Sequence, residues 1–288
     1  MNWIDMNSRN HAPDQGSPDL DTKDWTKDQA SNLYTKKRKD SSELEISKVF
    51  YEDCVHGMKR LPSDCIDLVV ADPPFGIDFT SKESMYARKN EFVVEGYQEV
   101  MTDYFEFTMA WLSELPRIMK QTSTAYVFSG WNNLEYVLRA ARQAGLKLIN
   151  HIIWHYQFGP FTQRKFATSH YHNLMLVKNP ENYYFHEFEI QPEDVWVIPR
   201  RYRHGQKKNI TAMPIELISR CIDFSTRPGD IVLDPFMGNG TTAMSAKANF
   251  RHFIGFELNS DLKPIIDHNL QMVQVGQDYI PYGERNSL

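Results

Sequence analysis

Four consecutive residues, Asp72-Pro73-Pro74-Phe75, carry the groups with which this sequence could most plainly do chemistry. They follow the mostly apolar segment 66–70, which predicts a buried strand that ends at this point. Because each proline fixes its own φ angle, these residues form a stiff hook that directs the Asp72 carboxylate and the Pro73 carbonyl at one incoming group. Ligands of open α/β sheets bind beyond the carboxyl ends of the strands. The hook (72–75) alone fits either a catalytic pair of acceptors or an ordinary strand-ending turn.

A glycine loop near the end of the chain is the second candidate site. A predicted strand over 231–233 runs into this loop and then into a helix, an arrangement typical of nucleotide binding. The missing side chains of Gly238 and Gly240 would let the loop backbone approach a ligand closely. The loop lacks the Gly-Lys-Ser/Thr of a phosphate loop, and the next strand ends at Glu257, from which a carboxylate accepts hydrogen bonds from ribose hydroxyls. These features predict a cofactor that contains adenosine but no pyrophosphate. Glu257 fits equally well as an acidic residue at a helix N-terminus.

Length and composition restrict the class of protein. With 288 residues, 41% hydrophobic and 24% charged, the chain can bury one domain core and carry a smaller lobe. No segment predicts a membrane span or a secretory signal, so a cytoplasmic protein is expected. Its three cysteines are widely spaced and predict neither a metal site nor a disulfide framework. The net charge of −5 argues against a uniformly cationic coat for nucleic acid, but it permits a local basic face.

Strand and helix patterns alternate over most of the chain. The strand before the hook is followed by helical spacing over 97–120, a strand over 124–128 and a helix over 132–144. Such alternation predicts an α/β fold with a doubly wound, mostly parallel sheet. The first 44 residues are polar and aperiodic, which is typical of a disordered or loosely docked arm.

A basic segment interrupts this alternation between residues 159 and 209. Its candidate nucleic-acid-binding cations are Arg164, Lys165, Arg200, Arg201, Arg203, Lys207 and Lys208. In an arbitrary protein this cluster would be read as a solvated loop. Beside a site that handles bases, it fits contacts with a phosphate backbone.

Three stretches, 71–75, 233–242 and 253–257, resemble the S-adenosylmethionine-dependent amino-methyltransferases of DNA. The order of hook, basic segment and cofactor loop is similar to that of the β class, and the resemblance covers roughly residues 49–270. It implies a Rossmann-like methyltransferase fold with a small variable DNA-recognition segment. The chain then divides into an N-terminal arm (1–44), a catalytic half (45–158), a target-recognition segment (159–209) and a cofactor-binding half (210–288).

The resemblance also implies roles for the motif residues. Asp72 and Pro73 would each accept one N–H of an exocyclic amino group and so hold its lone pair toward the sulfonium methyl group. Pro74 and Phe75 would complete the catalytic hook, with Phe75 stacked on a base flipped out of the duplex. S-adenosylmethionine would be held by Asp53, Cys54, Asp72, Asp234, Phe236, Gly238, Gly240, Thr241 and Glu257. No metal is required.

The expected function is methylation of adenine N6 in double-stranded DNA. Cytosine N4 is the close alternative, because the same hook suits either amino group. Methylation of RNA or of a glutamine side chain uses similar hooks, but there the cofactor loop usually precedes the hook. An alternative from a different functional class is a non-catalytic subunit of a methyltransferase pair, which binds the cofactor or DNA. A homodimer, a cognate nuclease of a restriction-modification system and association with the nucleoid are further expectations.

Overall fold

The computed structural model describes residues 24–40, 44–74, 103–156, 163–187, 192–200 and 213–285. The strands in these ranges are β1 (Lys48–Phe50), β2 (Ile66–Ala71), β3 (Met119–Ser129), β4 (Lys147–His155), β5 (His170–Val177), β6 (Val195–Val197), β7 (Ile231–Asp234) and β8 (His252–Phe256). The helices are α1 (Lys27–Asp40), α2 (Cys54–Lys59), α3 (Tyr104–Leu112), α4 (Leu115–Ile118), α5 (Leu134–Gln143), α6 (Ile215–Ser225), α7 (Thr241–Ala248) and α8 (Lys263–Gln271). None of the helices described is long and apolar enough to cross a membrane.

The strands form one sheet in the order β1-β8-β7-β2-β3-β5-β4-β6. The run from β1 to β3 is parallel throughout, and β4 pairs parallel with β6. Of the strands described, only β5 runs antiparallel to its neighbours, β3 and β4. The predicted doubly wound, mostly parallel α/β fold is therefore confirmed. One consequence matters for the site: β2, β3, β4, β6, β7 and β8 all end at the same edge of the sheet.

Strand β2 lies in the middle of this sheet and is buried on both faces. Val69 and Ala71 point into a core that contains residues of α3 and α5, whereas Leu68 and Val70 point into a core that contains residues of α6 and α7. A strand covered by helices on both sides needs apolar residues at successive positions, which explains the sequence before the hook. Burying one such side chain contributes about 1.5–3 kcal/mol to the stability of the folded state. Strand β2 is therefore a firmly packed support for Asp72.

Helix α1 differs from the expected disordered or loosely docked arm. Ala30 is fully buried, and Tyr34 stacks on His252 with ring centroids 4.0 Å apart. Nε2 of His252 donates a 2.9 Å hydrogen bond to the carbonyl of Tyr34. Few apolar residues make these contacts, so the helix has no hydrophobic stripe from which to predict it. Within the predicted arm, the residues Lys27–Asp40 thus form a helix that packs on the sheet domain, and the division of the chain at residue 44 stays a prediction.

Candidate active site

Four acidic side chains lie at the carboxyl ends of four neighbouring parallel strands. Asp53 follows β1, Glu257 follows β8, Asp234 ends β7 and Asp72 follows β2. Parallel strands end at the same edge of a sheet, so residues from both halves of the sequence meet there. The edge thereby joins the hook and the glycine loop, the two motifs singled out in the sequence.

Asp72 stands at the centre of this edge, between the ends of β7 and β3. Burial raises the pKa of Asp72 to about 7, and the negative charge of Asp234 adds to this increase. The positive charge of Arg200 acts in the opposite direction and lowers the pKa. Solvent still reaches part of the Asp72 side chain, whereas Pro73 behind it is buried. Phe75 lies outside the described residues.

Asp234 is buried at the point where β7 enters the glycine loop. Its Oδ1 accepts a 2.8 Å hydrogen bond from the backbone N–H of Phe236, which fixes the first turn of the loop. Burial raises the pKa of Asp234 to about 7, while the Thr242 hydroxyl and the Phe236 N–H lower it. Asp234 therefore shapes the loop and also places a second carboxyl group beside Asp72.

The two glycines of the loop differ in their surroundings. Gly240 has φ +83°, which favours a glycine, and a Cβ there would also lie only 3.3 Å from Cγ2 of Ile266 on α8. Gly238 has φ +53°, but among the described residues, its chain neighbours aside, the nearest atom to a Cβ there would be the carbonyl oxygen of Phe236 at 3.9 Å. Gly238 therefore leaves open space in which a ligand can approach the backbone. Thr241 begins α7 directly after the loop.

Glu257 is held by backbone amides through both of its carboxylate oxygens. Oε2 accepts from the N–H of Gly238 and Oε1 accepts from the N–H of Asn259, each at 2.8 Å. Burial raises the pKa of Glu257, and these two hydrogen bonds act against that increase. Because a carboxylate has about four lone-pair sites, Glu257 can accept from a further donor, such as a ribose hydroxyl, in addition to backbone amides.

Three of the predicted cofactor contacts have structural surroundings that are visible without a ligand. Asp53 caps α2 by accepting a 3.0 Å hydrogen bond from the N–H of His56. Cys54 is buried, and burial raises the pKa of its thiol to about 12. The ring of Phe236 packs edge-on against Trp111 of α3, with centroids 5.3 Å apart. All three lie at the shared edge, where their roles toward a cofactor stay predictions.

The predicted DNA-binding cations fall into three groups. Arg164 and Lys165 are exposed in the connection from β4 to β5, which lies at the same sheet edge as Asp72. Phe166 beside them is 99% exposed. Arg200 has a different environment, since its guanidinium lies over the rings of several aromatic residues. The others, Arg201, Arg203, Lys207 and Lys208, lie outside the described residues.

The sequence did not identify the residues around Arg200 or the proximity of Thr242 to Asp234. The rings over which Arg200 lies belong to Trp154, Tyr156 and Tyr171. A weak signal was present, because Trp154 and Tyr156 alternate at the end of a strand and thus point to the same face. That pattern does not say which cation the rings receive.

Comparison with known proteins gives a consistent result. A family model described as DNA methylase, for N6 and N4 methyltransferases, matches residues 66–268. The chain is 28% identical to the DNA adenine methyltransferase YhdJ of Escherichia coli, over 82% of this chain and 85% of that protein. It is 26% identical to the type II methyltransferase M.HinfI of Haemophilus influenzae, over 80% of this chain and 69% of that one. The solved M1.HpyAVI–SAM complex has the same fold, with a TM-score of 0.58 and 19% identity, over 77% of this chain and 98% of that chain.

Proposed function

We propose that this chain, which belongs to the N6/N4 DNA methylase family, transfers a methyl group from S-adenosylmethionine to the N6 amino group of adenine in double-stranded DNA. Membership of the family establishes methylation of an exocyclic amino group in DNA. The choice of adenine is our proposal, and the similarity to an enzyme named as a DNA adenine methyltransferase supports it.

One observation carries this proposal: Asp72, the loop around Gly238 and the Glu257 carboxylate meet at one edge of the sheet. The hook and the loop lie far apart in the sequence, yet β2 and β7 are paired strands. A substrate amino group at Asp72 would therefore be next to a ligand at Gly238. That proximity is what a transfer between two bound molecules requires.

The charges at this edge fit a cationic cofactor. Burial raises the pKa of Asp72, Asp234 and Glu257, because desolvated carboxylates there are poorly balanced by positive groups. A ligand with a positive charge would favour their ionised forms. S-adenosylmethionine, when bound, supplies a methyl group on a positively charged sulfonium. The open space at Gly238 and the remaining lone pairs of Glu257 fit its amino-acid and ribose parts.

The hook acts on the amino group that receives the methyl. The nitrogen lone pair of such a group is delocalised into the base ring, which makes the nitrogen a poor nucleophile. Acceptance of one N–H by Asp72 and of the other by the Pro73 carbonyl would direct the lone pair out of that conjugation. Formation of the N–C bond would break the methyl–sulfur bond, whose electron pair stays on sulfur, and the nitrogen must lose a proton. The Asp72 carboxylate, which would accept one N–H of this amino group, is placed to receive the proton and release it to solvent.

The substrate is double-stranded DNA, because the relevant amino groups are held in base pairs and the base must be flipped out to reach Asp72. Arg164 and Lys165 are exposed at the same sheet edge and would contact the phosphate backbone. The fully exposed ring of Phe166 lies between them and the start of β5. A homodimer and a cognate restriction nuclease stay predictions; the type II name of the Haemophilus relative supports the second.

The test is analysis of the product. Purified protein, S-adenosylmethionine and unmodified DNA would be incubated, and the DNA then digested to nucleosides for mass spectrometry. We expect N6-methyladenine. Detection of N4-methylcytosine would overturn the choice of adenine but would agree with methylation of an exocyclic amino group. Absence of both, with the cofactor bound, would support the alternative of a non-catalytic subunit.

A further inference from the structure

Phe166 exposes a whole aromatic ring to solvent. Its side chain is 99% exposed, and the next most exposed large apolar side chain among the described residues, Met272, is 70% exposed. A single exposed apolar residue needs no explanation by itself. Phe166 differs in its position, because Arg164 and Lys165 precede it in the connection from β4 to β5. The ring therefore stands beside cations, at the edge of the sheet that the proposed function assigns to DNA.

The connection is anchored close to this ring. The N–H of Tyr156, the first residue after β4, donates a 2.9 Å hydrogen bond to the carbonyl of Ser169. The hydroxyl of Tyr156 donates a longer, 3.4 Å hydrogen bond to the carbonyl of Thr168. Residues 163–167 are all exposed. The fold thus fixes the chain shortly after Phe166 and leaves the ring itself uncovered.

The connection also projects beyond the level of Asp72. Ala71, at the end of β2, is level with Val127 of β3, which in turn pairs with Leu174 of β5. Since β5 begins at His170, it extends four residues, about 13 Å, past the end of β2. Strand β3 lies between β5 and β2, so these two strands are about 10 Å apart. A duplex that rests against the connection would therefore lie above Asp72, within reach of a base that turns out of its stack.

We propose that Phe166 assists base flipping: its ring inserts into the base stack of the duplex and occupies space that the target base leaves. This rests on the proposed function. Removing a base from the duplex breaks its pairing and stacking, which costs free energy. Proteins that distort duplexes insert apolar side chains between base steps, and an aromatic ring there recovers part of the lost stacking. Arg164 and Lys165 would contact the neighbouring phosphates.

The first experiment compares methyl transfer to two duplexes, in which the target base is either paired or mismatched. The target is first located by modified-base sequencing of DNA that the wild type has methylated. On the paired duplex, single-turnover transfer by Phe166→Ala should be roughly fivefold to a hundredfold slower than by the wild type, the range for one aromatic ring stacked on a base. On the mismatched duplex most of this deficit should disappear, because the target base leaves the stack more easily. Phe166→Trp keeps an aromatic ring and should stay close to the wild type.

A second experiment observes the target base directly. 2-Aminopurine, placed at the target position, fluoresces more strongly when it leaves the base stack. Saturating wild-type protein should raise this fluorescence, and saturating Phe166→Ala should raise it less. Loss of folding is not a competing explanation, because substitution of a side chain that is 99% exposed should leave the stability nearly unchanged. Thermal unfolding of the variant checks this.

The matched control is Leu148→Ala. Leu148 is 46% exposed and lies near the start of β4, at the opposite edge of the sheet from Phe166. This variant should match the wild type in both assays. The proposal is overturned if Phe166→Ala matches the wild type on the paired duplex. It is also overturned if the loss is equal on both duplexes, as for a DNA contact that does not assist flipping. Failure of the proposed function is a different outcome: the wild type would transfer nothing to either duplex, and this proposal would fall with it.

Discussion

The backbone N–H of Gly238 donates a 2.8 Å hydrogen bond to Oε2 of Glu257, and this bond ties the loop after β7 to the end of β8. The other carboxylate oxygen accepts from the N–H of Asn259. Glu257 therefore fixes the loop and offers its remaining lone pairs to a ligand at the same time. Both roles require a carboxylate with two accepting oxygens.

Glu257→Gln should weaken cofactor binding by about tenfold or more. A glutamine has one accepting oxygen, so one of the two backbone amides loses its partner, and removal of a hydrogen bond to a charged group costs about 1.5–3 kcal/mol. Calorimetric titration with S-adenosylmethionine measures the effect. Asp267→Asn, at an exposed position on α8, is the control and should leave the affinity unchanged. Unchanged affinity in folded Glu257→Gln would remove Glu257 from the cofactor site.

Gly238→Val should abolish cofactor binding, because the valine side chain would occupy the open space next to the loop backbone. Strain is a competing explanation, since a φ of +53° disfavours valine. Gly145→Val separates the two causes. Gly145 lies between α5 and β4 with φ +88°, and no atom of the part of the chain that the structure describes lies within 4 Å of its Cβ position, its chain neighbours aside. Both variants should lose stability, and only Gly238→Val should lose binding. Retained binding in folded Gly238→Val would be inconsistent with a cofactor at this loop.

The pH dependence of stability follows from the buried carboxyl groups. The pKa of Asp234 is about 7 in the folded protein and 3.8 for an ordinary aspartate, so between these values the folded state binds more protons than the unfolded state. The free energy of unfolding without cofactor should therefore fall as the pH rises from about 4 to 7.

Asp234→Asn should remove part of this fall in the free energy of unfolding, because an asparagine does not ionise. It also keeps an oxygen that accepts from the N–H of Phe236. The Tm of the variant minus the Tm of the wild type should be larger near pH 8 than near pH 5. For a domain of this size each kcal/mol corresponds to roughly 2–4 °C. Thermal unfolding at the two pH values is the measurement, and a difference independent of pH would mean that Asp234 is not the group responsible.

Most of the fold was predictable because its signals are local. The apolar run of β2 and the turn residues that follow β2 and β7 indicate strands that end in ligand-binding loops, and the structure confirms these strands. The alternation of strands and helices then gives the parallel sheet that brings Asp72 and the loop together. Helix α1 was missed because its contacts with the body depend on a few residues such as Tyr34 and not on a periodic pattern.

The electrostatics of the site could not be predicted from the sequence. The pKa of Asp72 depends on burial and on Asp234, which is distant in sequence and adjacent only after folding. The environment of Arg200 depends likewise on rings from β4, β5 and the residue after β4. From the sequence, Arg200 is one cation among several in a basic segment.

The double variant Arg164→Gln/Lys165→Gln should bind DNA more weakly and with a smaller salt dependence. Removing one cation that touches a phosphate lowers the slope of log K against log salt by about 0.9. The control is Arg142→Gln/Lys147→Gln, which removes the same charge from exposed positions at the opposite end of β4. Binding measured at several salt concentrations distinguishes the two pairs. Equal slopes for both double variants would mean that Arg164 and Lys165 are ordinary solvated side chains and do not contact phosphate.

The most direct test of the account is the rate of methyl transfer by Asp72→Ala. The measurement is incorporation of labelled methyl groups into duplex DNA with S-adenosylmethionine saturating, near pH 8, with folding checked by thermal unfolding. Without the carboxylate, the amino group keeps only the Pro73 carbonyl as acceptor, and loss of one such group costs about 3 kcal/mol, on the order of a hundredfold to a thousandfold in rate. We predict this decrease in the rate of methyl transfer for an Asp72→Ala protein that is folded and still binds DNA. Near-normal transfer by folded Asp72→Ala would contradict the account, because the hook would then be only a turn.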